Sequence, residues 1–122
     1  CGRVFDGTFD QLAASLQRIA GLPPETLVYC AHEYTLANLG FAAWVEPDSD
    51  PIAERTAAAR RLRELGQPTV PSRLADELAF NPFLRTGEAA VKAAAERFAG
   101  RQLSTGAEIF TALRRWKDER YD

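Results

Sequence analysis

The sequence contains no methionine, one histidine and two cysteines in 122 residues, and each scarcity excludes something. Cys1 and Cys30 cannot form a framework of bridges that would replace a core, and their spacing matches no zinc motif, so a reducing, cytoplasmic setting is expected. No apolar run approaches the ~20 residues needed to cross a bilayer, and no basic-then-apolar leader opens the chain, so no membrane partner is expected. Lys plus Arg is 15 against 17 for Asp plus Glu, a net charge of -2. Such a chain has no bulk positive field with which to neutralise phosphates, and nucleic acid is not an expected partner. With no methionine and a start at Cys1-Gly2-Arg3, the chain is expected to be the later part of a longer protein. What is present is ordinary globular composition, 46% hydrophobic and 26% charged, enough for one compact domain or a small domain plus part of another.

Residues 1–50 read as the end of an α/β unit. Cys1 to Phe5 is a short apolar entry into an Asp6-Gly7 turn, and Thr8 with Gln11 three residues on forms a capping box. Leu12, Leu16 and Ile19 then give a helical stripe that Gly21 and Pro23-Pro24 end. The run Thr26 to Ala31 is β-rich and almost wholly apolar, as in a parallel strand covered on both faces. A second helix is expected from Thr35 to about Val45, closed by Pro47. Asp50 as N-cap and Pro51 at the first helical position announce another.

From Pro51 onward only helices are expected: 51–65 ended by Gly66, Ser72 to about Ala79, 87–99 ended by Gly100, and 105–119. Asn81-Pro82 separates two of them, because a residue before proline is biased out of the helical region. A domain boundary is placed between residues 48 and 49.

His32 lies just past the carboxyl end of the expected strand, where α/β folds place ligands. It is either a satisfied polar residue at a strand end or a metal ligand. Zinc takes about four ligands, so the others would come from outside this chain. Cys30 and His32 could pair as nucleophile and base, but a thiol inside an apolar run is expected to be buried and inert. Arg114 and Lys117 are three apart, hence neighbours on one face of the last helix. They read either as a solvated cationic face near a helix C-terminus or as a clamp for a carboxylate. Arg3 and Tyr34 are further polar groups near strand ends, although spacing alone does not bring them to Arg114.

Six segments carry a family resemblance: Cys1-Gly2-Arg3-Val4-Phe5-Asp6-Gly7-Thr8, Tyr29-Cys30-Ala31-His32-Glu33-Tyr34-Thr35, Val45-Glu46-Pro47-Asp48, Thr69-Val70-Pro71-Ser72, Asn81-Pro82-Phe83-Leu84-Arg85, and Arg114-Arg115-Trp116-Lys117. In this order and spacing the chain resembles the glyoxalase II, or hydroxyacylglutathione hydrolase, family. The resemblance implies the carboxyl-terminal portion of a metallo-β-lactamase αββα sandwich (residues 1–48) followed by a small all-helical, glutathione-binding domain (residues 49–122), an α/β fold overall. It implies His32 as a metal ligand, Arg3 and Tyr34 lining a glutathione pocket, and Arg114 with Lys117 receiving the peptide carboxylate. Phe5 falls where some members have tyrosine.

The implied cofactors are two divalent ions, zinc first, with iron or manganese as alternatives. The implied reaction is hydrolysis of S-D-lactoylglutathione to D-lactate and glutathione in methylglyoxal detoxification, by a metal-activated hydroxide attacking the thioester carbonyl. The family's Thr-His-x-His-x-Asp-His signature is absent from these residues, so the 122 residues alone are expected to be inactive and to pair with a missing amino-terminal portion. The related persulfide dioxygenases share the Cys-Gly-Arg turn but lack the long helical extension. A competing reading is a helical interaction module with a structural α/β leader.

Overall fold

A computed structural model describes residues 1–121. The elements, in chain order, are α1 (Phe9–Ala20), β1 (Leu27–Val28), α2 (Thr35–Val45), α3 (Asp50–Glu64), β2 (Ser72–Arg73), α4 (Leu74–Phe80), a 3-10 turn (Pro82–Leu84), α5 (Ala89–Ala99), α6 (Gly106–Trp116) and a π-helical turn (Lys117–Tyr121). No helix among the described residues is long and apolar enough to cross a membrane. Contacts divide the chain into two compact units, one joining Cys1–Gly21 to the chain from Pro82 on, the other formed by Leu22–Asn81.

In the first unit, α1 and α5 both pack on α6. Helix α1 starts as its sequence requires: the Gln11 N–H donates to Thr8 Oγ1, and the Thr8 N–H donates to the Gln11 side chain. Its inward face is Ala13 with partly buried Phe9, Leu12, Leu16 and Ala20, whereas Ile19, expected in the stripe, is exposed. The reason is angular, since a partner covers the 9–12–13–16–20 row and Ile19 falls beside it. Helix α5 turns Val91, Ala94 and Ala95 inward; the two alanines, having almost no side chain, let helix backbones approach closely. It ends at Gly100 in the left-handed region (φ +69°), a conformation that favours glycine. Helix α6 begins with its own capping box, Thr105 with Glu108, and buries Ile109, Phe110, Ala112 and Leu113. Phe83 meets Phe110 edge-on at 5.7 Å, and Phe98 stacks on Trp116 at 5.6 Å.

The second unit packs α2 on α3 and α3 on α4 around Leu39, Ala42, Ile52, Ala59 and Phe80. Here the expected parallel strand is corrected. Within that run only Leu27–Val28 form a strand, and they pair antiparallel with Ser72–Arg73, Leu27 opposite Arg73 and Val28 opposite Ser72. Leu27 and Tyr29 are exposed, so the apolar run is not covered on both faces in this unit. A strand persists only where a partner takes its backbone groups. The partner reaches no further than residues 72–75, where the Leu74 and Ala75 N–H groups donate to the carbonyls of Thr26 and Pro24 (2.8 and 2.9 Å).

Ser72, expected to open a helix, is therefore in a strand, and α4 begins at Leu74. At α3 the cap is Ser49 rather than Asp50, with Asp50 already helical in the first turn, where its negative charge suits the macrodipole.

Candidate functional site

His32 and Tyr34 lie in the second unit, on the bend between β1 and α2, and both are exposed. Their rings meet edge to face at 5.2 Å. The residue between them holds the bend. The Thr69 N–H donates to Glu33 Oε1 (2.6 Å) and the Thr69 hydroxyl to Oε2 (2.7 Å), while the hydroxyls of Thr69 and Thr35 hydrogen-bond at 2.6 Å. Arg55 Nη2 donates to the Thr69 carbonyl (3.0 Å), and Arg63 Nη1 stands 3.9 Å from Glu33 Oε1. Two hydrogen bonds from Thr69, backbone first, hold the Glu33 carboxyl below its usual range, with Arg63 and Arg55 adding to the effect and desolvation opposing it. Residues 36 positions apart thus fix the backbone that presents His32 and Tyr34.

Cys30 is exposed, which corrects its expected burial. Its thiol donates to the His32 backbone carbonyl (3.7 Å), a bond to the main chain and not to the imidazole that a nucleophile–base pair would use.

Arg3, Phe5, Arg114 and Lys117 lie in the first unit. Phe5 is exposed. The cationic pair on the last helix is not a solvated face: Arg114 is 1% and Lys117 7% exposed. Arg114 donates from Nε (3.2 Å) and Nη2 (2.7 Å) to Asp118 Oδ1, and from Nη1 to the Cys1 carbonyl (2.6 Å), with Cys1 Sγ at 3.8 Å. Its guanidinium lies 5.2 Å from the Phe83 ring centroid, a cation–π distance. The Lys117 ammonium lies 5.5 Å from the Tyr121 ring centroid. Arg3 Nε stands 3.8 Å from the same Asp118 oxygen.

The structure thus brings Arg3 and Arg114 to one carboxylate, which spacing alone could not do. Asp118 went unmarked in the sequence, although its place four residues after Arg114 is the helical ion-pair spacing. Glu33 and Thr69 were also missed as a pair, and no local signal links them.

As to metal, His32 is the sole imidazole in the sequence, and among the described residues no three His, Cys, Asp or Glu side chains come together in a way that could hold an ion. About four donors are needed for zinc, so the donor set of this chain does not by itself fit a metal.

Three curated relatives named hydroxyacylglutathione hydrolase are similar over nearly the whole chain. That of Alkalilimnicola ehrlichii is 56% identical over 119 residues, 98% of this chain and 46% of the relative. That of Halorhodospira halophila is 55% identical over 118 residues, 97% of this chain and 46% of the relative. That of Pseudomonas fluorescens is 54% identical over 119 residues, 98% of this chain and 47% of the relative. The chain therefore spans about half the length of the curated relatives it matches. The family model described as hydroxyacylglutathione hydrolase C-terminus matches residues 33–120, which takes in α2, both segments of the Glu33–Thr69 contact and the Arg114–Asp118 pair, and the chain belongs to that family.

Proposed function

We propose that this chain is the carboxyl-terminal part of a thioester hydrolase that cleaves S-D-lactoylglutathione with water to D-lactate and glutathione, in methylglyoxal detoxification in the cytoplasm. The observation that carries the reading is identity of 56% over 98% of the chain to a protein named for that substrate class. In this reading residues 1–48 end a metallo-β-lactamase-like domain and residues 49–122 form the helical glutathione-binding domain. Arg3, Arg114 and Lys117 supply positive charge for the carboxylate of the glutathione peptide, the Tyr34 hydroxyl offers a donor, and the Phe5 ring offers an apolar wall.

His32 supplies one ligand to a divalent metal, zinc before iron or manganese, in a two-metal site whose other ligands belong to the amino-terminal portion of the protein. The hold of Arg114 on Asp118 and on the Cys1 carbonyl supports a preorganised segment around Arg3, whose side chain is 52% exposed, since groups fixed beforehand lose less entropy on binding. The 122 residues alone are inactive in this reading, because one imidazole holds no catalytic metal.

The test is steady-state hydrolysis by the full-length protein of S-D-lactoylglutathione against the corresponding coenzyme A thioester. A clear preference for the glutathione thioester is expected. Equal use of both, or use of neither, would overturn the assignment.

A further inference from the structure

We propose that Glu33 is a positioning residue for Tyr34, acting through Thr69 without touching substrate. The inference rests on the reading that the Tyr34 hydroxyl donates to the glutathione peptide. Its basis is that both sequence neighbours of Tyr34 are tied to one buried residue. The Glu33 carboxylate accepts from the Thr69 N–H at Oε1 (2.6 Å) and from the Thr69 hydroxyl at Oε2 (2.7 Å), and the Thr35 hydroxyl meets the same Thr69 Oγ1 at 2.6 Å.

Thr69 is a firm anchor. It is 3% exposed, and its carbonyl accepts from Arg55 Nη2 (3.0 Å). The Arg55 guanidinium in turn lies 5.8 Å from the ring centroid of Phe80, a core residue of the same unit. Arg63 Nη1, 3.9 Å from Glu33 Oε1, adds an attraction to the carboxylate from the last turn of α3.

The backbone of Tyr34 is thereby held from both sides, and its carbonyl also accepts from the Asn38 N–H (2.9 Å) in α2. Its side chain is 64% exposed, so a ligand can reach the group that the clasp aims. A residue tied down beforehand loses less freedom when the ligand arrives. Of the three bonds to Thr69, Glu33→Ala leaves the one from Thr35, so the bend keeps a tether while Tyr34 loses its hold on the amino-terminal side.

Hydrogen bonds, not charge alone, make this clasp. A glutamine side chain has the same length; its oxygen accepts from the Thr69 N–H, and its amide group donates to Thr69 Oγ1, which then donates to Thr35. A group that acted as an acid, a base or an ionic partner of the substrate would not be replaced in this way.

The test is the dissociation constant of S-methylglutathione, a thioether that is not hydrolysed, measured by titration calorimetry on the full-length protein. Glu33→Ala and Glu33→Gln are each compared with wild type, with and without Tyr34→Phe. Glu33→Ala is expected to weaken binding roughly tenfold and Glu33→Gln less than about twofold. With Tyr34→Phe already in place, Glu33→Ala should add less than about twofold, because the hydroxyl it would misplace is gone.

Unchanged affinity in Glu33→Ala, an equal loss with and without Tyr34→Phe, or a Glu33→Gln variant as weak as Glu33→Ala would each overturn the proposal. Partial unfolding lowers the binding stoichiometry and leaves the constant of the folded fraction unchanged, so it does not mimic the expected result. Should Glu33→Ala fail to fold, Thr69→Val, which removes the hydroxyl and keeps the N–H, is put through the same comparison, with roughly a threefold loss expected only where Tyr34 is intact. Wild-type protein that does not bind the thioether, or Tyr34→Phe that leaves its affinity unchanged, would instead overturn the functional reading of Tyr34, and this inference with it.

Discussion

Replacing Arg114 with alanine is the sharpest probe of how the first unit is held together. The side chain is 1% exposed, makes two charge-assisted bonds to Asp118 and one to the Cys1 carbonyl, and lies over the Phe83 ring. Breaking a fully buried ion pair by removing one partner costs about 3–5 kcal/mol, most of it from the charge left behind. Asp118 is 26% exposed and keeps Arg3 at 3.8 Å, so its carboxylate rehydrates and the expected loss falls to about 2–3 kcal/mol. Arg3→Ala removes a side chain that is 52% exposed and should cost less than about 1 kcal/mol.

The assay is equilibrium urea unfolding in a Trp44→Phe background, so that Trp116, stacked on Phe98 in the same unit, reports alone. A loss for Arg114→Ala no larger than that for Arg3→Ala would refute the reasoning, since it would mean that Arg114 is solvated.

Three further outcomes follow from the local geometry. Thr105→Ala removes the acceptor of the Glu108 N–H and should destabilise the protein by about 0.5–2 kcal/mol in the same unfolding assay. The Glu108 carboxyl is held below its ordinary value of 4.5, chiefly by the hydrogen bond from the Ser104 N–H; a lowered folded pKa contributes stability that is present above the unfolded value and lost as pH falls through the folded one. Stability measured below about pH 4.5 should therefore fall less steeply in Glu108→Gln than in the wild type. Gly100→Ala places a side chain at φ +69° where no atom would clash, so the left-handed backbone alone should cost about 1–2 kcal/mol, read as a lower urea midpoint.

Features set by neighbours in sequence were legible. The Thr8–Gln11 box, the limits of α2, the break at Asn81-Pro82 and the left-handed Gly100 each depend on chemistry within a few residues. What was hidden depends on partners far along the chain. Ser72–Arg73 has neither the length nor the alternation of a strand and is one only because Leu27–Val28 lies opposite.

Arg114 and Lys117 show the same limit at the candidate site. Their spacing marks them as neighbours and even suggests a clamp, but a cationic helix face is solvated unless something covers it. For Arg114 part of the cover is Cys1, 113 positions away. Pairing of residues 33 and 69 across 36 positions was equally out of reach of periodicity.

In the proposed function these 122 residues carry binding residues and one metal ligand of a glutathione thioester hydrolase but not its catalytic centre. That division is tested most directly by assaying S-D-lactoylglutathione hydrolysis with the full-length protein and with the 122-residue chain at equal concentration. Glutathione release by the first and none above background by the second is expected; turnover by the 122-residue chain itself, or none by the full-length protein, would contradict the account.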